Sequence, residues 1–192
     1  MIILLDGDTH TGKTFLAQQL LERLRFPYLC LDHLKMGLIR SGLLPDEHRD
    51  LSPLSADADI TAVVWPLARE IIKTNIENGQ NLIVEGCYFP EDYRASFAGA
   101  AAAQYLPHIR YLCLCLSPEL ITGNFQDIKA CENVVEQRLS ADGLEVQDLL
   151  QANAANAARC ARLGLPCLML RPGDFASLPE RALKLLSLPA GR

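Results

Sequence analysis

The sequence lacks an excess of positive charge and any long apolar run. Its 192 residues include 18 Lys and Arg against 23 Asp and Glu, a formal net charge of −5. Proteins that bind nucleic acid or anionic membranes usually carry a basic surface, so we expect neither partner. No apolar stretch reaches the roughly 20 residues of a membrane-spanning helix, and the first apolar run, residues 2–5, is too short for a signal peptide. We therefore expect a cytoplasmic protein with a small-molecule ligand.

Paired metal-binding cysteines are also missing. The chain has seven cysteines, an odd number, and no C-x-x-C pair, so neither a zinc site nor a disulfide framework is predicted. Cys30, Cys113, Cys115 and Cys167 lie in apolar runs, where cysteine behaves as a small hydrophobic residue. We interpret the cysteines as buried reduced thiols. Cys87 is singled out because it lies next to a glycine of the expected active site.

One short motif carries most of the functional information. Residues 7–14 read GDTHTGKT and fit the phosphate-binding pattern G-x-x-x-x-G-K-[ST]. Residues 2–5 predict a strand before it, and apolar residues at helical spacing over 15–25 predict a helix after it. The motif needs this strand–loop–helix context, because the loop N–H groups and the helix N-terminus together face a phosphate. A nucleotide site is therefore predicted here.

The loop residues have distinct expected roles. Lys13 is the candidate catalytic cation for the β- and γ-phosphates, and the Thr14 hydroxyl is a candidate Mg²⁺ ligand. Asp8 is unusual, because a carboxylate pointing inward would repel a phosphate, so we expect it to face solvent or the acceptor. The predicted nucleotide-binding residues of the loop are Gly7, Asp8, Thr9, His10, Thr11, Gly12, Lys13 and Thr14.

Strand and helix patterns alternate along the chain without internal repeats. Asp57 or Asp59 is the candidate cap of a long helix that contains Pro66, which predicts a kink or two abutting helices. Another helix is predicted over about 91–104. Five strands alternating with helices favour an α/β fold, the three-layer α/β/α sandwich of P-loop NTPases around a five-stranded parallel sheet, with residues 1–192 as one domain. The predicted strands are 2–5, 28–31, 82–84, 109–116 and 166–170.

Ligands of such sheets bind at the carboxyl ends of the strands. Asp32 ends the second predicted strand and is the candidate general base, or orienting carboxylate, for a hydroxyl acceptor; a helix cap is the alternative. Lys35 and Arg40 follow it on a predicted helix and are candidates for holding an anionic acceptor group, unless they form a solvated helix face. Arg171, after the fifth strand, is a further nucleotide-binding candidate at the same rim.

The phosphate loop, Leu-Asp-His at 31–33 and Ile-Val-Glu-Gly at 83–86 together resemble the small P-loop kinases. Residues 28–40 and 81–86 are most similar to bacterial proteins described as zeta-toxin-like or 2-phosphoglycerate-kinase-like. The resemblance implies phosphoryl transfer from ATP with Mg²⁺. It also implies that Glu85 acts on Mg²⁺ through bound water, with acceptor contact and a structural salt bridge as alternatives.

A small helical lid is expected at about 123–142. Adenylate-kinase-like lids are rich in arginine, whereas Lys129 and Arg138 are the only basic residues between 117 and 143, against five acidic ones. Arg138 is the candidate catalytic cation of this lid, with Lys129 as the alternative. A nucleoside monophosphate needs several cations, so we expect a neutral hydroxyl acceptor instead.

The sequence thus predicts a small-molecule kinase that uses ATP with Mg²⁺. Three alternatives stay open: a regulatory ATPase without an acceptor, a nucleoside-monophosphate kinase, and a nucleotide-binding module without catalysis. A guanine-nucleotide switch is disfavoured, because no N-K-x-D signature occurs, and the ABC-type signature is absent too.

Overall fold

The computed structural model describes residues 1–99, 101–130 and 143–188. Short 3₁₀ turns join some of the main elements, at Asp46–His48, Tyr93–Phe97, Ala103–His108 and Asp174–Ser177. The strands are β1 (Ile2–Gly7), β2 (Tyr28–Cys30), β3 (Leu82–Glu85), β4 (Ile109–Leu116) and β5 (Cys167–Leu170). The helices are α1 (Lys13–Leu24), α2 (Leu31–Ser41), α3 (Asp57–Glu77), α4 (Pro118–Ala130), α5 (Val146–Leu163) and α6 (Leu178–Leu185).

The five strands form one sheet in the order β2-β3-β1-β4-β5. The outer pairs are parallel, with Cys30 opposite Glu85 and Cys113 opposite Cys167. All six residues of β1 are buried, and β4 is buried except at Arg110. Such continuous apolar strands are typical of parallel sheets covered on both faces. The predicted five-stranded parallel α/β fold is therefore confirmed.

The chain divides into two compact units: Met1–Leu4 with Phe26–Arg110, and Leu5–Arg25 with the chain from Tyr111 onward. In the first unit α3 packs against α2 and buries Trp65 and its apolar neighbours. In the second unit α1 packs against α6, and α5 packs against α4 and β5. The assignment of residues 1–192 to one domain stays a prediction.

Two helices differ from the sequence predictions. Asp57–Glu77 is one helix with Pro66 inside it, so the alternative of two abutting helices is wrong, whereas a kink at Pro66 stays a prediction. Ala56, rather than Asp57 or Asp59, takes the cap position. Burial of five residues along α3 offsets the hydrogen bond that proline cannot donate. The helix expected over 91–104 is replaced by 3₁₀ turns, and Gly99 between them has a left-handed φ of 93° that ends helical geometry.

The helix predicted to start at Ser117-Pro118 is present as α4. The Leu120 N–H donates to Ser117 Oγ at 3.2 Å, and Pro118 begins the helix where a missing N–H costs nothing. The predicted lid overlaps the end of α4, while residues 131–142 lie outside the described residues. Among the helices of the described residues, none has the length and apolar character needed to cross a membrane.

Candidate active site

The phosphate loop joins β1 to α1 and needs glycine at both ends. Gly7 and Gly12 have φ values of 138° and 87°, a region that other residues rarely adopt. A Cβ on Gly7 would lie 2.4 Å from the carbonyl oxygen of Leu114, and one on Gly12 would lie 3.0 Å from the Phe175 ring. The loop is therefore wrapped tightly against β4 and the turn after β5.

Hydrogen bonds inside the loop converge on the carbonyl of Asp8. The Thr11 hydroxyl donates to it at 2.9 Å and the Lys13 ammonium donates to it at 2.5 Å. Lys13 is only 7% exposed, at the first position of α1. Its charge is thus held over the loop, where the helix N-terminus also favours an anion. Thr9 Oγ1 and His10 Nδ1 lie 2.8 Å apart in the same loop.

A buried carboxylate that the sequence analysis missed supports the loop from below. Asp6, 3% exposed, accepts the Gly7 N–H at 2.6 Å through Oδ1. Its Oδ2 accepts the Tyr111 hydroxyl and an Arg159 N–H, both at 2.6 Å. Burial, followed by the negative charge of Asp6, raises the pKa of Tyr111. The available signal was a lone acid at the end of an apolar strand, directly before the motif.

Arg171 lies in the turn between β5 and α6. Its backbone N–H donates to Asp174 Oδ2 at 2.9 Å, and its side chain is exposed. Phe175, four residues later, lies against Gly12 and so brings this turn to the phosphate loop. The turn that carries Arg171 thus lies beside the phosphate loop, and a role of Arg171 in nucleotide binding stays a prediction.

Asp32 lies in the first unit, within the first turn of α2 rather than at the end of a strand. The prediction of its position was wrong because β2 stops after three residues and Cys30 serves as the helix cap. The alternative of Asp32 as a cap is wrong for the same reason. A carboxylate in the first turn still interacts favourably with the helix dipole.

Asp32, Lys35 and Tyr88 form a hydrogen-bonded cluster. Lys35 Nζ donates to Asp32 Oδ1 and to the Tyr88 hydroxyl, both at 2.7 Å, and the Tyr88 hydroxyl lies 3.4 Å from Asp32 Oδ1. The Asp32 side chain is 36% exposed, whereas Lys35 is buried. An approaching ligand can therefore reach the carboxylate but not easily the ammonium.

The pKa values of the cluster follow from these contacts. Burial disfavours the charged form of Lys35, but its hydrogen bonds to Asp32 and Tyr88 outweigh burial and raise its pKa. Burial also raises the pKa of Tyr88 to about 12, against a lowering by Lys35. At neutral pH Lys35 is thus a cation and Tyr88 a neutral hydroxyl, and both can donate hydrogen bonds.

Other predicted acceptor residues of the first unit have different surroundings. Glu85 is 2% exposed at the end of β3. It faces Cys30, and burial together with the charge of Glu85 raises the pKa of that thiol. Arg40 is exposed in the last turn of α2, outside the Asp32–Lys35 pair. The structure therefore brings Lys35, but not Arg40, to Asp32.

A pair of aromatic side chains also lies in the first unit. Trp65 is buried on α3, its ring lies 5.4 Å from that of Phe89, and its Nε1–H donates to Ser96 at 2.7 Å. Phe89 follows Tyr88 directly in the segment after β3. Sequence reasoning missed Tyr88, although an aromatic pair just after a strand end was a usable signal.

Of the predicted lid cations, Lys129 lies in the last turn of α4, and Arg138 is outside the described residues.

No protein-family model matches the chain, and no curated protein matches it in sequence. Solved structures do match its fold. Shikimate kinase from Bacteroides thetaiotaomicron shares 15% identity with a TM-score of 0.56, over 98% of this chain and 99% of that one. Shikimate kinase from Aquifex aeolicus shares 16% identity with a TM-score of 0.51, over 97% of this chain and 96% of that one.

A third similar structure is shikimate kinase from Acinetobacter baumannii in complex with shikimate. It shares 15% identity with a TM-score of 0.50, over 97% of this chain and 92% of that one. At these identities the likeness shows a common fold and no more. The closer resemblance to zeta-toxin-like proteins stays a prediction.

Proposed function

We propose that this protein is an ATP-dependent phosphotransferase that moves the γ-phosphate of ATP to the hydroxyl group of a small molecule. The observation that carries this proposal is the phosphate loop, with its two left-handed glycines and the buried ammonium of Lys13 directed at a loop carbonyl. The fold shared with small-molecule kinases supports the same reaction class.

The nucleotide side of the reaction uses residues 7–14. On binding, Lys13 exchanges its bond to the Asp8 carbonyl for phosphate oxygens, and the N–H groups of the loop hold the phosphate chain. Asp6 acts as a positioning residue, because it fixes the Gly7 N–H. Arg171 borders the nucleotide from the turn that Phe175 packs against Gly12.

The reaction also requires Mg²⁺, which neutralises charge on the transferring phosphate. The Thr14 hydroxyl and the Glu85 carboxylate supply oxygen atoms, the donor type that Mg²⁺ takes. Glu85 is buried at the end of β3, opposite Cys30. We assign Thr14 as a direct ligand and Glu85 as a contact through water, with acceptor binding by Glu85 as the alternative.

The acceptor side of the reaction uses Asp32 as the carboxylate that orients the incoming hydroxyl. Asp32 is ion-paired with Lys35, and its side chain is exposed enough to be reached by a ligand. In a loose, metaphosphate-like transition state, a carboxylate contributes mainly by aligning the attacking hydroxyl, so it does not need to be a strong base. Because the charge of Lys35 is already matched by Asp32, we assign Lys35 to positioning that carboxylate rather than to an anionic acceptor group.

Acceptor-dependent release of ADP tests the proposal. The protein with ATP and Mg²⁺ should release little ADP alone and much more with one member of a panel of hydroxylated metabolites. Lys13→Ala should lower that turnover on the order of 10²-fold while the protein stays folded. Lys184→Ala, an exposed lysine on α6, should leave it unchanged. Equal ADP release without any acceptor would favour the regulatory ATPase, and full activity of Lys13→Ala would exclude the assignment.

A further inference from the structure

Four cysteines of the second unit converge beneath α5. Cys113 and Cys115 alternate along β4, so their side chains share one face of the strand. Cys167 on β5 lies opposite Cys113 in the parallel register, and Cys160 comes from α5. Residues separated by more than 50 positions in sequence are thus gathered in one place, without any C-x-x-C pair.

The sulfur atoms of this cluster lie in direct contact. The distance between Sγ atoms is 3.8 Å from Cys113 to Cys115 and 3.5 Å from Cys115 to Cys167. These three sulfurs all lie within 4.8 Å of one another. Cys160, on α5, is a fourth buried thiol of this unit, but its sulfur is not among the three that lie within 4.8 Å of one another.

This spacing matches that of a tetrahedral metal site. Zinc–sulfur bonds of about 2.3 Å at tetrahedral angles place neighbouring sulfur atoms ~3.8 Å apart. Four thiolates in a tetrahedral arrangement are the donor set that zinc-class ions prefer. We propose that Cys113, Cys115 and Cys167 bind a single thiophilic cation of the zinc class, and that Cys160 moves in from α5 as the fourth donor, so that the ion clamps α5 to β4 and β5.

The surroundings provide access and charge for such an ion. Cys113, Cys115 and Cys160 are fully buried, whereas Cys167 is partly exposed and opens a path from solvent. Binding releases the thiol protons to solvent, and a zinc tetrathiolate carries a net charge of about −2. The guanidinium of Arg159, next to Cys160, interacts electrostatically with Cys113 and offsets part of that charge.

The site would also steady the phosphate loop. Arg159 donates from α5 to Asp6, and Asp6 accepts the Gly7 N–H. An ion that holds the last turns of α5 on the sheet therefore reduces the freedom of the residue that orients Asp6. The binding of the ion itself does not depend on the proposed kinase activity.

Titration of the reduced protein with Co²⁺ under anaerobic conditions tests the proposal. We expect one Co²⁺ per chain, with thiolate-to-cobalt charge-transfer bands and the intense ligand-field bands of tetrahedral cobalt. Added Zn²⁺ should remove these bands and raise the thermal unfolding temperature. Cys167→Ser and Cys160→Ser should lose the tetrahedral spectrum. The matched variants Cys30→Ser, Cys87→Ser and Cys131→Ser, the last at a position outside the described residues, should keep it.

Several outcomes would overturn the inference. One is a wild-type protein that shows no thiolate–cobalt bands at one equivalent. Another is a spectrum that survives Cys167→Ser unchanged, or one that disappears with Cys30→Ser. If Cys160→Ser does not fold, the partly exposed Cys167→Ser and the wild-type stoichiometry still decide. A disulfide between two of the four cysteines that forms in air and persists with Zn²⁺ present would show that the cluster is a redox pair instead.

Discussion

The ion pair between Lys35 and Asp32 determines how the candidate acceptor carboxylate is held. Lys35 is buried, one turn along α2 from Asp32, and the Tyr88 hydroxyl fixes its other side. These two hydrogen bonds fix the orientation of the long, flexible Lys35 side chain. Because Lys35 in turn holds the Asp32 carboxylate, that carboxylate has already lost conformational freedom before a ligand binds. The function of Asp32 can therefore be separated from its structural contribution by an isosteric change.

For Asp32→Asn we predict a loss of acceptor-dependent turnover of at least about 10²-fold with ATP binding intact. Asparagine can still accept a hydrogen bond from Lys35, so stability should fall by only ~1 kcal/mol. Asp46→Asn, which removes an exposed partner of Arg49, is the control and should change neither quantity. Steady-state kinetics and urea unfolding measure both effects. Near-normal phosphorylation of the acceptor by Asp32→Asn would contradict the mechanism.

Glu85→Gln distinguishes the two roles considered for this buried carboxylate. If Glu85 contacts Mg²⁺ through water, the Mg²⁺ concentration for half-maximal turnover should rise about 10- to 100-fold, as for other outer contacts of a metal. If Glu85 contacts the acceptor, only the acceptor's apparent affinity should change. Titrating Mg²⁺ at saturating acceptor, and then acceptor at saturating Mg²⁺, separates these results. No change in either titration would indicate a structural role.

At the scale of elements, the junction of β1, the phosphate loop and α1 depends on backbone geometry. Gly7 combines a positive φ with a close approach to a backbone carbonyl of β4, which cannot move like a flexible side chain. Asp6 and Tyr111 join the same two strands by a buried hydrogen bond. The loop is thus shaped by the sheet beneath it as well as by its own sequence.

We predict that Gly7→Ala destabilises the protein by about 1–3 kcal/mol, from left-handed strain and the clash with Leu114. Nucleotide affinity should fall with it, because the loop N–H groups lose their alignment. Gly37→Ala is the matched control: Gly37 lies within α2, and an added Cβ meets nothing within 4 Å. It should instead stabilise the protein by up to about 1 kcal/mol. Equal unfolding midpoints for the two variants would show that the approach to β4 imposes no constraint.

At the scale of the whole molecule, several groups with raised pKa values connect stability to alkaline pH. The pKa values of Lys35, Tyr88 and Tyr111 are all raised in the folded protein. As pH rises, the unfolded chain therefore releases these protons first, so the unfolded state becomes relatively more favourable. Their contribution to stability is complete below about pH 10 and declines above it.

We accordingly predict that the free energy of unfolding falls between pH 10 and about pH 12, the range over which Tyr88 ionises in the unfolded but not in the folded chain. Tyr88→Phe removes one of these groups and should make the decline shallower, although the variant is less stable at neutral pH. Urea unfolding at a series of pH values measures both slopes. Identical slopes for the two proteins would contradict the burial and pairing of Tyr88.

Local sequence pattern was enough to predict the phosphate loop, the five strands and the α/β class. Each of these features depends on a short-range signal: a fixed motif, an apolar run of four to eight residues, or a cap such as Ser117-Pro118. Signals at element boundaries were weaker, because a helix can start one or two residues earlier at little cost. For this reason Asp32 was predicted at a strand end and lies in the first turn of a helix.

Tertiary structure alone decided which distant side chains meet. Asp6 and Arg159 are 153 positions apart, and Lys35 and Tyr88 are 53 apart. Alternation along β4 places Tyr111, Cys113 and Cys115 on one face. Strand order, register and the packing of α5 then determine what covers that face. The sequence by itself therefore determined an α/β protein with a phosphate-loop motif, whereas the support of its loop, the pairing of Asp32 and the cysteine cluster arise from long-range packing.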